Sequence, residues 1–411
     1  MNVLFASPHN HMDQTSGAAI STRSTLRALA RSGHSVRALT GSIFDDDSFC
    51  EEDLTRSLRR QTAERRINRF AAKLDGKSLE FRTIEFDDAG VLSTIFLADE
   101  AFAPTPSRIP PSERSAFYRY LAKELAANPP DVFTTYGGDP RILEAAKQAK
   151  KQGARTVFFL HNLAYRFPGH FAPFDAVVVP SEYAKAFYKR ALGLETVVIP
   201  PIIEEESVVA KERDEKYITL VNPAVEKGRN VFLALAREFS QTLPEASFLL
   251  VDARSKVEDL ARIPNALKTT NLRSIGNVSK PSLFLAETRI LLVPSLCEES
   301  FGRVVVEGAL NGIPVVASDR GALPEVVGDP RFALPIPKRF SVSVSGDLVP
   351  TREELAPWLG IVEKLWRDET FARETGEALH RRCEGRRQTV VERKWAEFFD
   401  NLARRADARR Q

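Results

Sequence analysis

Cysteine is scarce in this chain. Only Cys50, Cys297 and Cys383 occur in 411 residues. They are odd in number and far apart, which argues against a disulfide framework and against closely spaced thiolate metal ligands. A reducing compartment follows as the expectation, with the cytoplasm the simplest choice. Long apolar runs are also missing. None approaches the ~20 residues needed to cross a bilayer. The opening Met1-Asn2-Val3-Leu4-Phe5-Ala6-Ser7-Pro8 lacks the positive leader and long apolar core of a secretory signal and reads as a first β-strand. No Gly-x-Gly-x-x-Gly follows that strand, since residues 9–17 hold only Gly17. A dinucleotide oxidoreductase is disfavoured on that ground.

Charge of one sign is not in large excess either, the net being +3. It is unevenly placed, however. Arg56, Arg59, Arg60, Arg65, Arg66 and Arg69 crowd a stretch expected to be helical, and the tail ends Arg404-Arg405-Ala406-Asp407-Ala408-Arg409-Arg410-Gln411. Such patches suit peripheral contact with anionic lipid or an acidic polymer, although a solvated helix face explains them more simply. No recognition motif accompanies them, so nucleic acid is not an expected partner.

What is present is an alternation of short β-branched runs with longer amphipathic stretches, the pattern of an α/β protein with parallel sheets. Strands are expected near 3–6, 36–40, 81–86, 132–135, 156–160, 176–179 and 197–199, then near 217–221, 248–251, 272–275, 290–293 and 315–317. Helices fit 17–31, a segment opened by Asp139-Pro140, and 230–242, 303–311 and 353–366. At about 100–200 residues per domain, 411 residues suggest two. The double proline and acid cluster Pro200-Pro201-Ile202-Ile203-Glu204-Glu205-Glu206 mark the hinge. The expected division is 1–202, 203–375 and a terminal helical segment 376–411. Residues 41–115, with Asp45-Asp46-Asp47, the arginine-rich stretch and Pro104, Pro106, Pro110 and Pro111, read as an insertion hanging from the first domain.

The chemistry concentrates in Pro294-Ser295-Leu296-Cys297-Glu298-Glu299-Ser300-Phe301-Gly302-Arg303-Val304-Val305-Val306-Glu307. A strand ends, a loop follows and a helix begins near Phe301-Gly302. Open α/β sheets bind ligands at the carboxyl ends of their strands. A helix N-terminus there offers unpaired N–H groups and partial positive charge to a phosphate. Glu299 and Glu307 are carboxylates able to accept hydrogen bonds from sugar hydroxyls. Their spacing alone is common by chance. The sequel, Asn311-Gly312-Ile313-Pro314-Val315-Val316-Ala317-Ser318-Asp319-Arg320-Gly321-Ala322-Leu323-Pro324-Glu325, adds a helix stop, a buried strand, a glycine loop and a new helix start.

The stretch from Pro294 to Glu325 resembles the donor-site signature of retaining glycosyltransferase family 4, also called glycosyl transferases group 1. Gly17 to Val36, Phe159-Leu160-His161-Asn162, Ser181-Glu182-Tyr183, Val197-Val198-Ile199-Pro200 and Glu226-Lys227-Gly228 resemble other segments of that family in order and spacing. The resemblance implies the GT-B fold, two Rossmann-like doubly wound domains facing each other across a cleft. It implies transfer of a hexose from a nucleotide diphosphate sugar, UDP-glucose by default, to a hydroxyl acceptor by front-face substitution, with no metal or other cofactor. Glu307 would hold the ribose hydroxyls, Glu299 the donor sugar, and Lys227 the diphosphate. Backbone N–H groups at Ser300, Phe301 and Gly302 would line the sugar–phosphate region. His161 would lie near the transferred sugar, and Gly17 would open the first glycine loop. His9 and His11 are weaker candidates from the first domain.

The pattern is broken in two places. Asn222 stands where the family usually has an arginine, five residues before the lysine, and a neutral amide supplies neither the charge nor the bidentate fork of a guanidinium. Either Lys227 works with another cation, Arg229 or Arg303, or diphosphate binding is weaker. Ala18 stands where many relatives have a second glycine. Asp-x-Asp occurs at Asp45-Asp46-Asp47, outside the expected donor site, so a metal role is not assigned. The acceptor, whether saccharide, lipid, protein or metabolite, is not legible. An epimerase-like sugar-nucleotide enzyme and a non-catalytic nucleotide-sugar-binding protein remain open alternatives.

Overall fold

The computed structural model describes residues 1–45, 58, 65–74, 77–97, 111–256, 271–278, 280–337, 339–340 and 348–410. The chain divides into two compact units. One comprises Met1–Pro180, Tyr188–Pro201 and Val391–Gln411, the other Ser181–Phe187 and Ile202–Val390.

The first unit is built on nine strands: β1 (Asn2–His9), β2 (Ser35–Ile43), β3 (Arg65–Leu74), β4 (Lys77–Asp87), β5 (Val91–Leu97), β6 (Val132–Thr135), β7 (Arg155–Phe159), β8 (Ala176–Val179) and β9 (Val197–Val198). Their order is β3-β4-β5-β2-β1-β6-β7-β8-β9. Neighbours are parallel from β5 to β9, while β4 runs antiparallel to β5 and β3 to β4. Residues 3–8 of β1 are all buried, as a strand covered on both faces requires.

The second unit holds β10 (Tyr217–Val221), β11 (Ser247–Val251), β12 (Leu272–Ile275), β13 (Thr288–Val293), β14 (Val315–Ser318) and β15 (Ala333–Leu334). All pairs are parallel, in the order β12-β11-β10-β13-β14-β15. The strand order therefore reverses between β10 and β13. At such a switch point successive connections leave in opposite directions and open a crevice at the carboxyl ends of the strands. In the first sheet the reversal lies between β1 and β6.

The helix Gly17–Arg31 buries Ser21, Thr22, Ser24 and Thr25 along with apolar residues. Three of these hydroxyls are satisfied within the helix itself. Ser21 donates to the Gly17 carbonyl at 2.6 Å, Ser24 to Ile20 at 3.0 Å and Thr25 to Ser21 at 3.0 Å. Asp139 caps the helix Pro140–Lys151 by accepting from the Arg141 amide, with proline in the first turn.

Within the segment 41–115, expected to hang from the first domain, residues 65–74, 77–87 and 91–97 are strands of the first unit's sheet. The stretch around Arg65, Arg66 and Arg69 is the strand β3, not a helix. Across the ladder Arg66 stands opposite Glu85 and ion-pairs with it at 3.8 Å, while Arg69, opposite Arg82, reaches Glu80 at 2.8 Å. Cross-strand pairs of opposite charge support a sheet and partly neutralise the basic patch. Asp46, Asp47, Cys50, Arg56, Arg59, Arg60, Pro104, Pro106, Pro110 and Gln411 lie outside the described residues. Strands β3, β5 and β15 were not expected. Among the described residues no helix is long and apolar enough to cross a membrane.

One buried ion cluster ties β4 and β5 to the helix Gly17–Arg31. Asp88, 2% exposed, lies in the turn between the two strands. It accepts from Arg23 Nε and Nη2, both at 2.7 Å, and from Arg27 Nε at 3.2 Å and Nη2 at 2.5 Å. Burial alone pushes the Asp88 carboxyl up, but the bonds and charges of Arg23 and Arg27 override it and hold the group well below the carboxylate range. Removing one member of a buried charge cluster strands the others. Asp88→Ala is expected to destabilise the first unit by about 3 kcal/mol in urea unfolding. In the wild type this contribution is present above an unfolded aspartate's pKa of about 3.9 and is lost as pH falls through the lower folded value.

Candidate functional site

The chain leaving β10 turns sharply. Asn222 adopts φ +64°, a left-handed conformation that asparagine tolerates better than most residues. Its carbonyl accepts from the Ala224 amide at 2.7 Å, and its side-chain Oδ1 accepts from the Ser255 amide at 3.1 Å. The residue standing where an arginine was expected therefore shapes this turn. A short 3₁₀ segment Val225–Lys227 follows, and Gly228, at φ +81°, begins the helix Arg229–Thr242.

The loop after β13, residues 294–302, is clamped against that turn. The amides of Leu296 and Cys297 donate to the Glu226 carbonyl at 2.9 and 3.4 Å. A Cβ at Gly228 would lie 1.9 Å from the Pro294 carbonyl oxygen, so only glycine permits this approach. The loop after β14 closes the arrangement. Glu299 and Gly321 form a parallel bridge, the Ala322 amide donates to the Glu299 carbonyl at 2.8 Å, and a Cβ at Gly321 (φ +63°) would meet that same oxygen at 2.2 Å. Loops from three parallel strands thus fix the backbone of Glu299 at the switch point.

The charged groups gather there. Lys227 Nζ donates to Glu299 Oε1 at 2.7 Å, their side chains being 31% and 16% exposed. Burial pulls the ammonium down, but Glu299, Cys297 and Glu226 more than reverse this, so its pKa is raised. Lys227 is therefore charged. Burial, reinforced by Glu299, pushes the Cys297 thiol up to about 11, which keeps it protonated and a poor nucleophile at neutral pH. The helix Arg303–Leu310 starts after Gly302, whose φ is +96°. Phe301 is 4% exposed and packs into the core of the second unit, leaving only its backbone for a ligand. One turn on, Arg303 Nη2 lies 3.7 Å from Glu307 Oε1, and Arg303 Nη1 donates to the Ile202 carbonyl at 3.2 Å. Burial raises the Glu307 carboxyl, opposed by Arg303, and lowers the Arg303 guanidinium. Arg303 is thus engaged with Glu307, while Arg229 opens the helix behind Lys227.

Lys227, Glu299, Ser300, Phe301, Gly302, Arg303, Glu307, Asn222 and Arg229 are all brought to the carboxyl ends of β10 and β13 or to the helices that follow. Other neighbours of this loop lie in segments that carry the family resemblance but were assigned no site role from the sequence. Glu325 accepts from the amides of Glu182 and Tyr183 at 3.1 and 2.8 Å. Tyr183 Oη donates to Glu298 at 2.7 Å, and Ser181 Oγ to the Ser300 carbonyl at 2.7 Å. Only proximity in space links these residues, and no local spacing announces it.

Gly17 and His161 belong to the first unit. Gly17 opens its helix, exposed. His161 follows β7. Its Nε2 lies 3.1 Å from Thr22 Oγ1, its ring packs edge-on to Tyr136 with centroids 5.5 Å apart, and it lines a small pocket with Ser21, Thr25, Phe159 and Trp395. His9 is half-buried at the end of β1, where burial lowers its pKa against the pull of Asp45, Asp13 and Asp139. His11 is not a ligand-facing residue. It is 1% exposed, its ring nitrogens pair with Thr40 and Ser93 at 3.2 and 3.1 Å, and burial lowers its pKa to about 4. It is a neutral core histidine. Among the described residues no three His, Cys, Asp or Glu side chains gather as metal ligands.

Two family models match the chain: one described as Glycosyltransferase Family 4 over residues 15–207, the other as Glycosyl transferases group 1 over residues 202–336. Among curated proteins, an uncharacterized 41.2 kDa protein in the cps region of Klebsiella pneumoniae is 46% identical over 55 residues, a match covering 13% of this chain and 15% of that one. Solved structures match nearly end to end. The catalytic domain of starch synthase IV from Arabidopsis thaliana, bound to ADP and acarbose, has a TM-score of 0.67 at 13% identity over 99% of each chain. HepE of Anabaena with UDP and glucose gives 0.65 at 16% identity, over 98% of this chain and 100% of that one. The pneumococcal O-GlcNAc transferase GtfA with UDP and GlcNAc gives 0.64 at 12% identity, over 98% and 99%. At these identities the likeness is one of fold.

The clamped loops make a direct test. Gly228→Ala and Gly321→Ala each add a Cβ within 2.2 Å of a backbone carbonyl oxygen and demand positive φ from alanine. Each is expected to lower unfolding stability by more than about 1 kcal/mol. Gly169→Ala, with nothing within 4 Å of the added carbon, is the control and is expected to remain near wild type in the same thermal unfolding scan.

Proposed function

The chain belongs among the family 4-like glycosyltransferases of GT-B fold, and from that premise we propose that it moves a hexose from a nucleotide diphosphate donor to a hydroxyl acceptor with retention at the anomeric carbon and without a metal. The observation that carries this reading is the meeting of Lys227 and Glu299, 2.7 Å apart, at the switch point of the second sheet, beside the start of the helix Arg303–Leu310. Cation, carboxylate and helix N-terminus are the three groups needed to receive a diphosphate and a sugar at one place.

Lys227 would face the diphosphate. As the sugar–phosphate bond breaks, negative charge grows on the leaving oxygen, and an adjacent ammonium stabilises that state more than the ground state. The backbone amides of Phe301 and Gly302 donate to no carbonyl of the described residues, which supports their use toward phosphate or sugar oxygens. Glu299 would accept from donor-sugar hydroxyls and Glu307 from the ribose. The acceptor hydroxyl would attack from the face the diphosphate leaves, passing its proton to the departing phosphate oxygen, so no enzyme carboxylate need be covalently modified. His161 would orient hydroxyls at the reacting end. UDP-glucose is the first donor to test, since HepE and GtfA are described with UDP and a sugar. The reading places the protein in the cytoplasm. Peripheral contact with an anionic membrane surface through the basic tail belongs to it as a composition argument.

A metal-free thermal-shift and calorimetric screen of UDP, GDP, ADP and their hexose conjugates tests this. One nucleotide family is expected to stabilise the wild type by mass action. Glu307→Ala is expected to weaken its binding about 10- to 100-fold, the loss of a charged hydrogen bond. Lys227→Ala is expected to lower donor turnover by about 100-fold or more. Stabilisation by no nucleotide would reject the transferase reading in favour of a non-catalytic protein, and wild-type turnover in both variants would reject the residue roles.

A further inference from the structure

Ser295 is 1% exposed, one residue past the proline that ends β13. Its hydroxyl donates to Glu299 Oε1 at 2.7 Å, and its own carbonyl accepts from Ser318 Oγ at 2.7 Å, Ser318 being fully buried at the end of β14. Glu299 Oε1 thus takes two donors, Ser295 Oγ and Lys227 Nζ, each at 2.7 Å. Oε2 takes none from the described residues. One oxygen of the carboxylate is spent on the protein, and the other is left to accept from a ligand.

The two donors differ in what a bound substrate does to them. Lys227 is a mobile cation on a flexible stem, 31% exposed. A diphosphate, with more charge than Glu299, competes for it. Ser295 is a short buried side chain, and its backbone is pinned on both sides, by Ser318 and by the Leu296 and Cys297 amides on Glu226. Nothing that binds lysine releases it. Resting on the donor reading above, we propose that Ser295 is the positioning residue for Glu299. It holds the carboxylate toward the donor sugar after the diphosphate has drawn Lys227 away, and so sets recognition of the sugar but not of the nucleotide.

UDP and UDP-glucose are the probes, with calorimetric binding and donor hydrolysis as readouts on wild type, Ser295→Ala, Ser295→Cys, Glu299→Gln and the double variant Ser295→Ala/Glu299→Gln. Ser295→Ala is expected to bind UDP as the wild type does, which also reports an intact second unit. Its advantage of UDP-glucose over UDP and its hydrolysis rate should fall by about 10-fold, the worth of one hydrogen bond to a charged group. Ser295→Cys, a weak donor of similar size, should fall between the two. The double variant should be no worse than Glu299→Gln alone, because Ser295 acts through Glu299. Equal weakening of UDP and UDP-glucose, an undiminished sugar advantage, or additive loss in the double variant would overturn the role of Ser295 alone. Failure of the wild type to bind UDP, GDP or ADP would overturn the donor reading and this inference with it.

Discussion

The interaction on which the site depends is the interlocking of three strand-end loops through backbone contacts that exclude a side chain. The turn after β10 touches the loop after β13 at Gly228 and Pro294, and that loop touches the one after β14 at Glu299 and Gly321. Each contact brings one backbone against another at a distance no Cβ allows. Parallel strands in the order of the second sheet deliver the three loops to one edge, and the glycines let them close. A ligand with extended negative charge needs such a rigid cradle. Donors held in place before it arrives cost little reorganisation when charge develops.

Electrostatics inside the cradle are balanced without being discharged. Lys227 and Glu299 neutralise each other, and Arg303 and Glu307 form a second pair one turn into the following helix. Neither pair is fully sealed from solvent, so neither bears the full cost of burying ions. Both can be re-partitioned by an incoming charge. Burial raises Glu307 and lowers Arg303, each opposed by the charge of the other. Cys297, with its pKa raised to about 11, is a spectator in this setting.

The first unit follows a different plan. Strands β3, β4 and β5 extend its parallel sheet with an antiparallel meander, and the Asp88 cluster fastens that meander to the helix that opens after β1. Serine and threonine face inward on this helix because each can return its hydrogen bond to the preceding turn. A helix with small buried hydroxyls packs closely, and Thr22 and His161 meet across it. His11 shows the opposite outcome. Its neighbours are all within the core, so a residue type associated with chemistry serves here as packing.

Much of the second unit was legible in the chain alone. Continuous apolar runs such as Leu291-Leu292-Val293 and Val315-Val316-Ala317 are what strands buried on both faces require, and their positions and that of the helix after Gly302 agree with the structure to within a residue or two. Local signals also sufficed for Asp139-Pro140 as a helix start. They failed where pairing across distance decides. The arginine-rich stretch 65–74 is a strand that pairs along its length with β4, and β15 pairs with β14. Asn222 read as a missing cation, yet in the fold it is a left-handed corner whose amide holds Ser255. By itself the sequence determined which residues are apolar, which carry charge and where the chain can turn, because those are properties of single residues and short periods. Only the tertiary structure decided that Ser295, Glu299, Lys227 and Gly321 share one place. Their contacts join strand ends far apart in the chain, and the energy of such contacts depends on distances in space that no local pattern encodes.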